Sequence, residues 1–252
     1  EDIDMSTTVM GQKLDMPIFC SPTALQRLFH HDGERAVARA AEKFGTMFGV
    51  SALGTVSLAE IGQTTSTPKM FQFYFHKDRA LNDAMVERAK AAGFNTLALT
   101  VDTITGGNRE RALYTGFTSP PRLSVKSLFS FATHPGWAMN YFLREPFELA
   151  ELKDFIEKGS NVAVSIGDYF AEMLDPTMNW SDAEALRAQW DGPFCLKGIM
   201  SVADAKRAVD IGADAIMVSN HGGRQLDGSR SPFDQITEIT DAVGDDIDVL
   251  LD

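Results

Sequence analysis

The sequence predicts an α/β chain folded as a (β/α)8 TIM barrel, incomplete in that seven of the eight strands are present. Three observations carry this reading. Short apolar runs alternate with amphipathic helical patterns, as in βα units around a parallel sheet. Each apolar run delivers a polar residue at its C-terminal end, the face on which such barrels place their chemistry. The length of 252 residues is that of a one-domain barrel, commonly about 200 to 250.

The first run, Pro17-Ile18-Phe19-Cys20, leads into Pro22-Thr23-Ala24. Asp32-Gly33-Glu34 then opens a helical pattern through Val37, Ala40, Ala41 and Phe44. A second run at about 46–51 ends in Ser51, and Ser57 with Glu60 has capping-box spacing. The third, at about 70–75, alternates Phe71, Phe73 and Phe75 with Gln72 and Tyr74, so both polar side chains share one face. The fourth, at about 96–101, brings Thr100 and Asp102 to its end. Runs at about 194–197, 214–218 and 248–251 end in Lys197, in Ser219 and His221, and in Asp252. Ser181 with Glu184 and Ser201 with Asp204 repeat the capping-box spacing, and Gly45, Gly93, Gly212 and Gly244 fall where helices should stop. A doubly wound open sheet is the alternative, but it would gather its ligand groups at one switch point rather than at every strand end.

Residues 1–252 read as one domain, with a long irregular insertion at about 103–180. Its first part, Leu123 to Phe147, holds Phe129, Phe131, Trp137, Tyr141 and Phe142 with Lys126 and Arg144, and no acid before Glu145. Its second part, Gly159 to Gly167, has the small residues of a lid.

A hydrophobic content of 44% and a charged content of 23% are those of a soluble globular protein. The net charge of −12 argues against nucleic acid as a partner. No apolar run approaches the roughly 18 residues of a membrane span. Cys20 and Cys195 each close an apolar run and read as buried thiols of a reducing, cytoplasmic compartment. No metal is expected, since there is no Cys-x-x-Cys or His-x-x-x-His pair, and no Gly-x-Gly-x-x-Gly opens a helix for a nicotinamide cofactor. The chain starts at Glu1 and stops at Asp252, which reads as trimming at both ends.

The most informative segment is Ser219-Asn220-His221-Gly222-Gly223-Arg224-Gln225-Leu226-Asp227-Gly228. It places a base and a rigid cation where a buried strand ends. His221 changes charge near neutral pH, and Asp102, at a corresponding strand end, is suited to hold its tautomer. Without those neighbours, a histidine there would read as structural. Arg224, and Arg109 in the loop Gly106-Gly107-Asn108-Arg109, carry the planar fork that grips a carboxylate, although Arg109 could equally pair with a surface acid. Lys197 needs an anion, an electron-rich ring edge or an ion-pair partner to sit at the end of a buried strand.

These segments resemble the FMN-dependent 2-hydroxy acid oxidases and dehydrogenases, a family that includes glycolate oxidase, lactate oxidase, cytochrome-linked L-lactate dehydrogenase and mandelate dehydrogenase. The resemblance rests on residues 219–228 together with Ser21-Pro22-Thr23-Ala24, Phe71-Gln72-Phe73-Tyr74, Leu99-Thr100-Val101-Asp102-Thr103 and Leu196-Lys197-Gly198, all in family order. It implies flavin-dependent oxidation of an (S)-2-hydroxy acid to the 2-oxo acid. His221 would be the base and Asp102 its partner, Arg224 and Arg109 would clamp the carboxylate, and Tyr74 would bond the substrate oxygen. Lys197 would lie near the flavin, with Pro22, Thr23, Ala24, Ser51, Gln72, Thr100, Ser219 and Asp252 as further cofactor contacts. Leu53, where glycolate oxidases carry a bulky aromatic, favours L-lactate or a larger homologue over glycolate.

The electron acceptor implied is oxygen, a quinone or a cytochrome, and the assembly a homo-oligomer, a tetramer in this family. Peripheral contact with the inner membrane through 123–147 is compatible with the same resemblance. The family's N-terminal segment and its eighth strand, with the loop that holds the FMN phosphate, would lie outside residues 1–252. The expectation is therefore a fragment that binds FMN weakly by itself. The contrasting reading is an inactive fragment serving only as a binding or assembly module.

Overall fold

The computed structural model describes residues 3–104, 106–116, 124–146, 148–153, 172–226 and 228–252. The glycine-rich part of the insertion read as a lid, 159–167, lies outside the described residues. A seven-stranded parallel sheet forms the centre: β3 (Cys20–Thr23), β4 (Phe48–Ser51), β5 (Lys69–Phe73), β6 (Thr96–Thr100), β7 (Phe194–Lys197), β8 (Ala215–Val218) and β9 (Asp248–Leu251). Each strand pairs with the next in sequence, so there is no switch point, and the doubly wound alternative falls. The result is an incomplete (β/α)8 barrel with β3 and β9 as its edges.

Helices α1 (Gln26–Phe29), α2 (Gly33–Lys43), α3 (Leu58–Thr64), α4 (Arg79–Ala91), α8 (Trp180–Gln189), α9 (Val202–Asp210) and α10 (Pro232–Val243) accompany the strands. Within the insertion lie α5 (Glu110–Thr115), α6 (Val125–Thr133) and α7 (Pro135–Phe142). Ser57 and Ser201 cap α3 and α9 as their spacing predicts. The cap of α8 is instead Asn179, in a reciprocal box with Asp182, because that pair lies two residues ahead of Ser181 and Glu184 and satisfies the first free N–H groups of the helix. Gly45, Gly93 and Gly212 stop their helices at positive φ, whereas Gly244 keeps a helical φ of −66°.

Three further expectations are corrected. The first strand begins at Cys20 rather than Pro17, because Pro17 has no N–H to donate and Ile18 points to solvent. The insertion is not irregular throughout: Ser124 and Ser127 form a capping box at α6, and Pro135 starts α7. Serine in the third helical position escapes a search for glutamate there. Cys20 is half-buried, although Cys195 is fully buried as expected.

A hairpin of β1 (Thr7–Val9) and β2 (Gln12–Leu14) was not anticipated. Met10 and Gly11 both take positive φ, the two-residue turn whose twist matches paired strands. Met10 is buried, and its N–H donates to Asp248 Oδ2 at 2.6 Å. With Leu14 it joins Met47, Met70, Ala98, Cys195, Met217 and Leu250, which close the N-terminal end of the barrel.

The period of two along each strand then sorts the side chains. Phe48, Phe71, Phe73, Leu97, Leu99, Phe194, Leu196, Ile216 and Val218 face the helices in the main core. Each such side chain, fully buried, contributes about 1.5–3 kcal/mol. Met70, Ala98, Cys195 and Met217 face the barrel axis, and two residues further on come Gln72, Thr100, Lys197 and Ser219. Another two residues bring Tyr74, Asp102 and His221 to the barrel mouth.

Just beyond β5, His76 is buried against Asn82, with Nδ1 2.9 Å from Asn82 Oδ1. Burial pushes the imidazole down to about 4, the hydrogen bond to Asn82 offsetting only part of this. A folded value below that of the unfolded chain means stability is fully present above about pH 6.5 and lost as pH falls toward 4. The loss expected is roughly 3 kcal/mol. Urea midpoints between pH 7 and 4 should show a component that disappears in His76→Gln.

Candidate active site

The loop after β8 carries the site. His221 has a φ of 56°, and Gly222 and Gly223 follow at 64° and 73°, so three successive left-handed residues turn the chain sharply at the barrel mouth. A histidine in that region is costly, and such strain concentrates at functional sites. Side chains hold the turn. Ser219 Oγ accepts the His221 N–H at 3.1 Å, and Asn220 Oδ1 accepts the Gly223 N–H at 3.0 Å while its Nδ2 donates to Ser229 Oγ at 3.1 Å.

This geometry brings His221 Nδ1 to 2.6 Å from Asp102 Oδ2 across 119 residues of sequence. The side chains remain 17% and 15% exposed, so the pair is shielded yet reachable from the mouth. Asp102 Oδ1 is buried without a hydrogen-bond partner. A proton on Nδ1 in this bond leaves Nε2 with its lone pair, the tautomer of a general base. Gln225 supports the arrangement by donating from Nε2 to the Asp102 carbonyl at 3.2 Å.

Gly198, directly after Lys197, makes room for the carboxylate. A Cβ there would lie 2.8 Å from Asp102 Cγ, at a φ of +108°. Gly198→Ala should therefore cost about 1–3 kcal/mol in stability. It should also displace Asp102, which would show as a lower urea midpoint together with a changed pH profile of turnover.

The loop of residues 106–109 meets the loop after β8 backbone to backbone. A Cβ on Gly107 would fall 1.9 Å from the Arg224 carbonyl oxygen, so only glycine permits the contact. Arg109 and Arg224 consequently lie within electrostatic reach of one another. Burial first, and the Arg224 charge second, lower the Arg109 guanidinium from its ordinary value. Tyr74 shares their field. Burial, joined by the Asp102 charge, pushes its phenol up to about 12 against the opposing pull of Arg109, Arg224 and a Gln72 hydrogen bond. The hydroxyl is a neutral donor at physiological pH. The two arginines thus lie within electrostatic reach of a phenol whose field also includes Asp102, the partner of His221.

Below them lies a polar layer facing the axis. Ser51 Oγ donates to Gln72 Oε1 at 2.8 Å, and Gln72 Nε2 donates to Thr100 Oγ1 at 2.7 Å. Lys197, 2% exposed, donates to Ser219 Oγ at 2.9 Å and to the Asp252 carboxylate. Asp252 also accepts from Ser219 Oγ at 2.7 Å and from Ser21 Oγ. The ion pair that the sequence left as an alternative for Lys197 is thus formed. Burial raises the Asp252 carboxyl, but the Lys197 charge and the bonds from Lys197, Ser21 and Ser219 outweigh it and hold the group at about 2. Ser21 and Gln225 were missed as supporting residues. Their signals were position alone: Ser21 precedes Pro22, and Gln225 follows Arg224 in the motif.

Pro22 packs against Gly49, Ala24 lies on the main core, and Thr23 is exposed, accepting from Gln26 Nε2 at 2.8 Å. Leu53 is buried two residues beyond Ser51. The donor set suits a flavin: a buried ammonium and hydroxyls of Ser219 and Thr100 beside the Gln72 amide can meet the electron-rich edge of a flat ring. Lys197, Ser219, Gln72, Thr100 and Ser51 are the residues that would hold it.

Comparison with known proteins bears on the family and its cofactor. The curated relatives include L-lactate dehydrogenase of Vibrio parahaemolyticus serotype O3:K6, 38% identical over 252 residues, and that of Azorhizobium caulinodans, 39% identical over 255 residues. Each match covers all of this chain and 66% of the relative, so the chain spans just under two thirds of their length. Among solved structures, mandelate oxidase superposes with a TM-score of 0.79 at 35% identity, covering 100% of this chain and 62% of that one. The monotopic membrane protein (S)-mandelate dehydrogenase superposes at 0.88 and 30% identity, covering 98% and 65%. A family model described as FMN-dependent dehydrogenase matches residues 1–252, and the chain belongs to that family.

Proposed function

We propose that the protein oxidises an (S)-2-hydroxy acid to the 2-oxo acid with FMN as cofactor. The observation that carries this is the His221–Asp102 pair at 2.6 Å, set beside Arg109, Arg224 and Tyr74 above the polar layer. Arg109 and Arg224 bind the substrate carboxylate, the planar fork of each giving paired hydrogen bonds. Tyr74 donates to the substrate hydroxyl or keto oxygen. His221 takes up the substrate proton, and Asp102 stabilises the imidazolium so formed. Lys197, one of the residues that would hold the ring, would bring it a positive charge shared with Asp252. When bound, the flavin supplies the two-electron acceptor.

Leu53, with Gly54 beside it, leaves room that favours L-lactate or a larger homologue over glycolate. The electrons pass on to oxygen, a quinone or a cytochrome. The full-length protein should bleach its flavin absorbance on anaerobic addition of L-lactate and turn over L-lactate or mandelate in preference to glycolate. A flavin spectrum unmoved by any 2-hydroxy acid refutes the activity, and a preference for glycolate refutes the pocket assignment.

A peripheral membrane location is the companion reading. Trp137 stacks on Phe131, with centroids 5.1 Å apart, and on Tyr141, while Phe142 meets the cluster edge-on, and Trp137 Nε1 donates to the Leu28 carbonyl at 2.8 Å. Around α6 and α7, Val125, Phe129 and Leu143 are exposed, with Lys126 and Arg144 next to them in sequence. Apolar side chains among basic ones suit an anionic bilayer surface, and the relative described as monotopic supports that choice. Among the described residues no helix is long and apolar enough to cross a membrane. Co-sedimentation with anionic liposomes is expected, and its absence removes this reading.

A further inference from the structure

The loop after β4 is held by a buried acid that the proposed chemistry does not use. Glu34, in the first turn of α2, has no exposed surface. Its Oε1 accepts the Thr55 N–H at 2.8 Å, and its Oε2 accepts the Thr55 hydroxyl at 2.7 Å. The same hydroxyl oxygen accepts the Arg27 backbone N–H at 3.1 Å. Arg27 lays its stem on Gly33 and donates from Nη2 to the Glu145 carbonyl at 2.8 Å and from Nη1 to the Pro146 carbonyl at 3.3 Å. Nearby, the Leu53 carbonyl accepts the Leu25 N–H at 3.1 Å, and the Gly54 carbonyl accepts the Ala150 N–H at 3.2 Å.

A buried carboxylate is expensive unless donors meet it, so its presence calls for a reason. Here both oxygens are spent on one residue, Thr55, two positions beyond Leu53. The next link, Arg27, reaches the chain just past α7. One continuous set of hydrogen bonds therefore runs from the wall of the barrel mouth to the end of the exposed α6–α7 pair.

We infer that Glu34 and Thr55 are positioning residues: they set where Leu53 stands on the active face and tie that wall to residues 145–146 through Arg27. This rests on the proposed function only in taking Leu53 as a wall of the substrate pocket. Neither side chain touches the reacting groups. Their effect is on which substrates fit, not on proton transfer.

The test uses the full-length protein and two conservative variants, Thr55→Val, which removes the hydroxyl, and Glu34→Gln, which keeps an acceptor for the Thr55 N–H. Hydrogen exchange should accelerate about tenfold in peptides covering 51–56 and 144–146 in Thr55→Val, the factor for one lost hydrogen bond, and less in Glu34→Gln. Arg39→Ala, which removes an exposed pair with Asp32 on the same helix, should leave exchange there unchanged. The ratio of kcat/KM for mandelate to that for L-lactate should shift by about three- to tenfold through KM, less than the roughly 10- to 200-fold of a whole methylene because Leu53 is displaced and not replaced. The pH profile should not move. Unchanged exchange at both sites overturns the inference, and so does faster exchange with an unchanged ratio in an active enzyme. A wild-type protein inert toward every 2-hydroxy acid sinks the proposed function instead, and faster exchange at both sites would then still support the tie between them.

Discussion

Replacing His221 with asparagine should lower kcat/KM by about 10²–10⁴-fold while the protein still folds and still takes up flavin. The range is that of a positioned general base. The structural reason is the 2.6 Å contact with Asp102, which directs one ring nitrogen at a carboxylate and leaves the other to accept a proton. Asparagine can fill the space at Nδ1 but cannot carry the proton. Asp102→Asn is a sharper probe of the same pair, because it keeps the shape and removes the charge that stabilises imidazolium. Its loss of turnover should be accompanied by a displaced acid limb in the pH profile. Stopped-flow measurement of flavin reduction checks both variants, and His221→Asn reducing its flavin at the wild-type rate would remove histidine from the mechanism.

Arg224→Met should weaken handling of the substrate by about tenfold to 10²-fold in kcat/KM, as expected for loss of a charge-assisted hydrogen bond worth about 1.5–3 kcal/mol. Arg224→Lys should recover little, since an ammonium keeps the charge but loses the paired geometry. Arg109 already feels the Arg224 charge, so the free site holds two cations that repel. That repulsion is relieved when a carboxylate enters. Either single variant already removes that repulsion, so the double variant should lose more than the sum of the singles in stability, and less than the sum in substrate binding. Inhibition by oxalate, a dianion without a transferable α-hydrogen, offers a binding readout separate from chemistry. Undiminished oxalate inhibition in Arg224→Met would argue against the clamp.

Much of the barrel could be read along the chain because its causes are local. A period of two in Phe71 to Phe75 sends Gln72 and Tyr74 to one side whatever surrounds them, and the same rule carried Thr100 on β6, whereas His221 lies past the end of β8 and is aimed by the left-handed turn at 221–223. The β1–β2 hairpin was harder to see. Met10 takes a left-handed conformation unusual for its type, supported by burial and by the bond from its N–H to Asp248, 238 residues away. The cap of α8 was misplaced because two overlapping polar patterns competed. Only the path of the backbone selected Asn179 and Asp182.

Taken alone, the order of the residues determined which side chains reach the mouth of the barrel, since strand alternation and strand direction suffice for that. It also contained the motif at 219–228 and the two glycine-bearing loops. Tertiary structure decided who meets whom: that Lys197 is matched by Asp252 and Ser219, that Gly107 lets the Arg109 loop touch Arg224, and that Glu34 is committed to Thr55. The physical reason is that these are contacts between separate loops, strand ends and a helix start, which no local pattern links. Their energies depend on separation, burial and competing partners, all of which come into being only when the sheet curves.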